Sequence, residues 1–325
     1  MKSSLIQGVM VLVLAGMFLC VSGAGAADYP EKPVNLVVCF AAGGETDIVV
    51  RALNDKLAAN LGGPTVVLNK PGSGGLLGAQ HVVNSPPDGY TILVLSLSHV
   101  LRQAADEKAP FNVLNDFEPI SRFVTQPLVL VVKGDSSFQT IDQFLQFAKN
   151  NPNKLNFGSP GVGSLGHFSG ELFKSAGQLS FKHVPFSGSA PSVTALMGGH
   201  IDFLITALPA VAGKVASGDL RLLASFADKR LPEMKDVPTL SEKGYPNVVM
   251  SGWFAFVAPA KTPPAVVKKL NQAVGRTVQD ASMEEGLKKL GFNPAYLSSA
   301  ELKKFVGDEF KRATEIAKRE NIVIK

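Results

Sequence analysis

Apolar and polar positions along this chain keep two rhythms, and their alternation predicts an α/β protein. Val34–Phe40 is an almost unbroken apolar run behind Pro33, the pattern of a strand covered on both faces. It ends in Ala41-Ala42-Gly43-Gly44. A helical period then runs from Thr46 to Leu61, with Ile48 and Ala52 on its inner face, and Gly62-Gly63 stops it. Thr65–Leu68 predicts a second strand. Pro71-Gly72-Ser73-Gly74-Gly75 is a glycine-rich loop before a helix over Leu76–Asn84. Pro86-Pro87-Asp88-Gly89 is a turn, and Tyr90–Leu95 a third strand. Strand–helix–strand–helix–strand is the order of a parallel sheet with covering helices.

The order then recurs. Leu128–Val132 predicts a strand, and the capping box Thr140-Ile141-Asp142-Gln143 opens a helix to Asn150. Leu155–Phe157 is a strand. Gly158–Gly163 leads into a helix with Leu165, Phe168, Leu172 and Phe173 inward. Phe181–Val184, Ile201–Ile205 and Leu220–Ser225 are further strands, and Pro191–Met197 a helix closed by Gly198-Gly199. Trp253–Val257 is the last apolar run before a long helical tail. There Thr262 is expected to cap a helix with Pro263 at its first position. Ser298-Ser299-Ala300-Glu301 is a capping box for the final helix, with Leu302, Phe305, Val306, Phe310 and Ala313 inward.

At 325 residues and 46% hydrophobic content the chain exceeds what one core usually serves, so two lobes are expected. The first 26 residues change that arithmetic. Met1–Gln7 carries a single charge, Lys2. Leu5–Val21 is mostly apolar, and Ala24-Gly25-Ala26 is a small-x-small site. This reads as a signal peptide cut before Ala27, and the alternative of a retained anchor finds no charged stop after it. Phe18 and Leu19 stand before Cys20 where a lipid-attached Cys would want small residues. The remaining 299 residues keep one Cys, Cys39, which excludes an internal disulfide.

Net charge is +5 for the whole chain, which raises the question of an acidic partner. Pro264–Lys325 holds 12 basic and 8 acidic residues, whereas Ala27–Pro263 holds 19 of each. In the tail the signs interleave at helical spacing, as in Glu301/Lys304 and Glu315/Arg319, the pattern of a solvated helix face. With few aromatic residues and one Trp, nucleic acid is disfavoured as a partner.

Two glycine-rich loops are candidate sites. Ala41–Asp47 joins a buried strand to a helix, where glycines admit a ligand to the backbone and free N–H groups attract anions. A tight turn with Thr46 or Asp47 as a simple N-cap explains the same residues. Gly161-Val162-Gly163-Ser164-Leu165-Gly166 matches G-x-G-x-x-G. The next strand ends at Lys182-His183-Val184-Pro185 without the acid that a dinucleotide fold requires. An anion nest for a small carboxylate, with donors from Ser159 and Ser164, keeps the local physics and needs no cofactor. No GxSxG elbow or GxxxxGK[ST] loop occurs, and the five His show neither HxH nor HExxH spacing. No catalytic residue, metal or cofactor is therefore expected. His167 either touches ligand or packs, and Cys39 is expected to be an inert core thiol.

Seven strings follow one another in order. They are Tyr29-Pro30-x-Lys32-Pro33-Val34, Ala42-Gly43-Gly44-x-x-Asp47 with Arg51, and Asn69-Lys70-Pro71-Gly72-x-Gly74-Gly75. Then come Pro87-Asp88-Gly89-Tyr90-Thr91, Phe157-Gly158-Ser159-x-Gly161-x-Gly163-Ser164-x-x-His167, His183-Val184-Pro185-Phe186-x-Gly188, and Val237-Pro238-Thr239-Leu240-x-Glu242-x-Gly244-Tyr245. Together they cover nearly the whole mature chain, which resembles the Bug family, the periplasmic receptors of tripartite tricarboxylate transporters.

The resemblance implies a two-lobed Venus-flytrap periplasmic binding protein of type II, each lobe a central sheet flanked by helices. Lobe 1 would be residues 27–124 with 255–325, and lobe 2 residues 125–254. The lobes would close on a small carboxylate, held by backbone groups, hydroxyls and trapped water, often without a pairing Arg. By matching motifs, the first lobe would contribute Ala42, Gly43, Gly44, Glu45, Thr46 and Asp47, with Ser96 and Ser98 of a Ser96–His99 loop. The second would contribute Ser159, Gly161, Gly163, Ser164, His167, Phe186, Ser187, Gly188 and Asp202. Asp47 and Asp202 would orient loops, since a bare carboxylate facing a carboxylate repels it. Glu45 departs from the family's small residue there. It would favour a zwitterionic or monocarboxylate ligand, or else point to solvent. The implied protein is monomeric and periplasmic, and its partners are its ligand and the transporter's membrane subunits. An exported sensor component, or an exported hydrolase on the same fold, are the rival readings.

Overall fold

The computed structural model describes residues 29–106, 108–231, 234–319 and 322. The signal-peptide reading of residues 1–26 lies outside them. The first elements are β1 (Val34–Val38), α1 (Glu45–Leu61), β2 (Thr65–Asn69), α2 (Leu76–Val83), β3 (Thr91–Ser96) and α3 (Leu97–Ala105). A 17-residue strand, β4 (Phe117–Lys133), leads to α4 (Ile141–Asn150), β5 (Asn156–Ser159), α5 (Leu165–Gly177), β6 (Lys182–Pro185) and α6 (Ser189–Met197). There follow β7 (Phe203–Ala207), the short α7 (Ala212–Ala216), β8 (Leu220–Ser225) and β9 (Ser251–Pro259). The chain ends with α8 (Pro264–Val278), α9 (Ala281–Lys289), β10 (Asn293–Leu297) and α10 (Ser299–Arg319).

The strands pair along one path, β2-β1-β3-β9-β4-β7-β5-β6, with β8 and β10 each added to β4. β1 lies parallel between β2 and β3, and β5 lies parallel between β6 and β7, as the repeated strand–helix order predicts. β9 and β4 are antiparallel insertions between these two parallel sets. β4 belongs to both lobes. Residues 117–127 pair with β9, whereas Leu128–Val131 pair with β7 and Val129–Lys133 with β8.

The continuous apolar runs are explained by two-sided burial. In β1, Leu36 and Val38 face a core with Val49, Leu53 and Leu57 of α1 and Val266, Leu270 and Val274 of α8. Val37 and Cys39 face the opposite core, with Val100 of α3 and Leu302 and Val306 of α10. β3 and β9 alternate in the same way, Ile92 and Phe254 to one side and Leu93 and Ala255 to the other. A strand with helices on both faces has no use for a polar position, so the period of two is hidden in the sequence. Cys39 is buried and its thiol is pushed far up by that burial, which agrees with an inert core thiol.

Three local expectations are corrected. Ser96–His99 is no loop: Ser96 is the N-cap of α3, in a capping box completed by His99. Thr262 does not cap α8. The N-cap is Pro263, and Thr262 instead donates its hydroxyl to the Pro259 carbonyl at 2.7 Å. The tail is not wholly helical, because β10 adds antiparallel to β4. Lys304 pairs with Asp308 at 2.6 Å and leaves Glu301 to the Ser298 capping box.

Candidate functional site

The strands β1, β3, β5 and β6 each deliver the chain into a helix N-terminus, and because β1 and β3 run opposite to β5 and β6 the two sets of carboxyl ends, where open α/β sheets bind ligands, face each other. A narrow cavity lies between them. Glu45 and Thr46 line it from the first turn of α1, Leu97 and Ser98 from that of α3, and Leu165 and Gly166 from that of α5. The crossing strands contribute Gln126, Leu128, Gly252 and Trp253, and β7 contributes Thr206 and Ala207. Each helix start presents unsatisfied N–H groups and a partial positive charge. Among the described residues no lysine or arginine lines the cavity.

The lobes touch across this cavity. Leu165 N–H of α5 donates to Ser98 Oγ of α3 at 3.1 Å, so a hydroxyl of one lobe caps a helix of the other. The Arg102 guanidinium, paired with Asp106 at 3.0 Å, reaches the Val162 carbonyl at 3.4 Å. Gly74 approaches the same carbonyl so closely that a Cβ would stand 2.6 Å from it, and its φ of +67° also demands glycine. Ser189 Oγ, at the first position of α6, donates to the Glu45 carboxylate. Glu45 therefore does not point to solvent. Burial raises its pKa, against the Ser189 hydrogen bond, which lowers it.

Two buried polar atoms in the lining have no protein partner, Thr46 Oγ1 and Gln126 Oε1, on residues 1% and 3% exposed. Buried polar atoms are rarely left unpaired, so each marks a place where a ligand or water completes the site.

Other expected residues shape the loops. Asp47 accepts Gly43 N–H at 3.0 Å, Arg51 Nε at 2.9 Å and Asn69 Nδ2 at 2.9 Å. Burial pushes its pKa up, but these donors outweigh burial and hold it below the ordinary value. It orients the Ala42–Gly44 turn, as expected. Ser164 caps α5, accepting His167 N–H at 3.2 Å, and His167 Nδ1 in turn accepts Gly163 N–H at 3.2 Å. The Ser159 hydroxyl is not an available donor, contrary to expectation. It is engaged by Gly161 and by His183 Nε2 at 2.7 Å. Gly161 and Gly188 adopt left-handed φ values of 145° and 140°, and Gly188 packs against Ala41 of the other lobe. Phe186 packs in the second lobe's core, and Ser187 is exposed. Asp202 is not at the cavity. It precedes β7 and binds Asn156 N–H at 2.7 Å, at the far end of β5. The sequence reading missed Gln126, Thr206 and Trp253. Gln126 carried a signal, as a polar side chain between the apolar Val124 and Leu128.

His99 gives the site a pH dependence. Its Nδ1 accepts Ser96 N–H at 3.1 Å, which requires a neutral ring. Burial pushes its pKa down to about 4. The unfolded chain therefore binds the proton first, near pH 6.5, and stability falls as pH drops from there to about 4. His99→Gln is expected to flatten the pH dependence of the urea midpoint between pH 7 and pH 4.5. A parallel dependence in the variant would show that His99 carries none of it.

The sequence profile described as "Tripartite tricarboxylate transporter family receptor" matches residues 49–322. The protein BugT of Bordetella pertussis is 33% identical over 321 residues, covering 97% of this chain and 98% of BugT. The solved periplasmic binding protein BugD superposes with a TM-score of 0.87 at 30% identity, over 91% of this chain and 100% of BugD. A protein of R. palustris solved with adipate superposes with a TM-score of 0.88 at 30% identity, over 91% of this chain and 99% of its own.

Proposed function

The chain belongs to the tripartite tricarboxylate transporter receptor family, and from that membership and the cleft we propose that it is an exported receptor for a small carboxylate. Export removes residues 1–26, and the mature protein works in the periplasm as a monomer. The two lobes, residues 27–124 with 255–325 and residues 125–254, move about the β4–β9 crossing. The ligand carboxylate first meets the N–H groups and hydroxyls of one lobe. The other lobe then completes the cage, and differential affinity for the closed form drives closure. The closed form docks on the transporter's membrane subunits and releases its load.

The observation that carries this reading is the convergence of helix N-termini and unpartnered polar groups on a cavity lined, among the described residues, by no lysine or arginine. Such a site neutralises the carboxylate with dipoles and hydroxyls in place of a cationic side chain. The adipate bound in the R. palustris structure supports the same ligand class.

Thermal unfolding with a panel of carboxylates and amino acids tests the proposal. A ligand present at 100 times its dissociation constant should stabilise the protein by about 2.7 kcal/mol. Mass spectrometry of the denatured protein should identify the same compound as a co-purified ligand. Steady chemical turnover of the bound solute, or no shift with any carboxylate, would rule the reading out.

A further inference from the structure

The charge inside the cleft narrows the ligand class, on the premise that the cleft is the receptor site proposed above. Among the described residues Glu45 is the only charged side chain lining the cavity, and it is an acid. It stands at the first position of α1 and reaches across to Ser189 at the first position of α6. The Ser189 hydroxyl and Glu45's own backbone N–H do not neutralise a carboxylate, and among the described residues no cation lines the space around it. Gln126 Oε1 is a second buried acceptor in the same lining, with no donor in the protein. The cavity thus has an acceptor side.

It also has a donor side. Thr46 Oγ1 is buried and unpartnered. Ser98 Oγ and Ser164 Oγ each accept a backbone N–H, at 3.1 and 3.2 Å, which leaves their hydroxyl protons to give. All three hydroxyls lie at helix N-termini. A plain dicarboxylate fits the donors with one end and sets its second charge in a water-poor space that already holds Glu45, where like charges repel. An ammonium group reverses the sign of that interaction.

We infer that the cleft selects a carboxylate that also carries an ammonium group, the carboxylate meeting Thr46, Ser98 and Ser164 and the ammonium meeting Glu45 and Gln126. Glu45 is then the residue that determines specificity, by rejecting a second carboxylate as much as by attracting an amine.

Titration calorimetry on the full mature protein tests this with matched pairs, in which an ammonium replaces one carboxylate at the same chain length. Such pairs are succinate with β-alanine, glutarate with 4-aminobutyrate, and adipate with 5-aminopentanoate. The proteinogenic amino acids complete the panel. Amino members should bind on the order of ten-fold tighter than their dicarboxylate partners. Glu45→Gln should erase that ratio, and Glu45→Asp, which keeps the charge, should preserve its direction. Circular dichroism checks that both variants fold, and the wild-type ranking alone decides the matter if they do not. A wild-type preference for the dicarboxylates, or an unchanged ratio in Glu45→Gln, overturns the inference and leaves the receptor reading intact. Absence of binding by every compound on both sides overturns the receptor reading itself.

Discussion

Phe203→Ala is expected to destabilise the second lobe by about 3–5 kcal/mol, the usual cost of deleting a fully enclosed ring. Phe203 is 0% exposed on the central strand β7. Its ring meets Phe144 at 4.9 Å, Phe181 at 5.0 Å and Phe157 at 5.7 Å, the first two edge-on and the third stacked. These neighbours come from α4, β5 and the segment just before β6, so the ring joins three elements in one core. The void left by alanine cannot be filled without moving all three, and interiors this densely packed relax only in part. A loss of this size is a large share of an ordinary domain's stability of about 5–15 kcal/mol. Urea unfolding followed by circular dichroism is the measurement. A change below about 1 kcal/mol would mean that the aromatic cluster collapses freely around the gap.

Thr46→Val is expected to move stability and binding in opposite directions. Thr46 is 1% exposed and its Oγ1 has no partner, so the free protein bears the cost of a desolvated hydroxyl. Valine keeps the shape and removes that cost, raising the stability of the free protein by about 1–3 kcal/mol. The same hydroxyl is a donor for the ligand carboxylate in the proposed site. Hydrogen bonds to charged groups contribute about 1.5–3 kcal/mol, so affinity should fall by about 10- to 150-fold. Thermal unfolding without ligand and calorimetry with ligand read the two effects separately. A less stable free variant would show that the hydroxyl is satisfied within the protein and is not held in readiness.

The strand-to-helix turns of this protein were legible because each puts an unbroken apolar run against glycines. Val34–Val38 running through Gly43-Gly44 into Glu45–Leu61 is the clearest. The Thr140 capping box also marked its helix start, with Gln143 N–H donating to Thr140 Oγ1 at 3.3 Å. α3 was not legible. No glycine or proline separates Leu95 from Leu97, so the apolar pattern passes from strand to helix without a break. The first half of β4 was hidden for the opposite reason. Glu118, Pro119, Arg122 and Gln126 interrupt its apolar residues, because part of the strand serves a half-polar antiparallel face. In the site, residues fixed by local turns were found. Glu45–Ser189 and Leu165–Ser98 were not, since partners 144 and 67 residues apart meet only when the lobes come together.

The place of β9 in the sheet governs the order in which the chain is able to fold. The second lobe's strands β5 to β8 and the end of β4 lie within one stretch, Leu128–Ser225, and need only neighbours made close to them in sequence. The first lobe cannot complete its sheet that way. Leu93 of β3 waits for Val257, and α1 waits for α8 before its apolar face is covered. During synthesis, β1 to β3 emerge early and remain unfinished until about eighty percent of the chain has been made. The N-terminal lobe is thus the last to become stable, and its open strand edge waits longest for a partner.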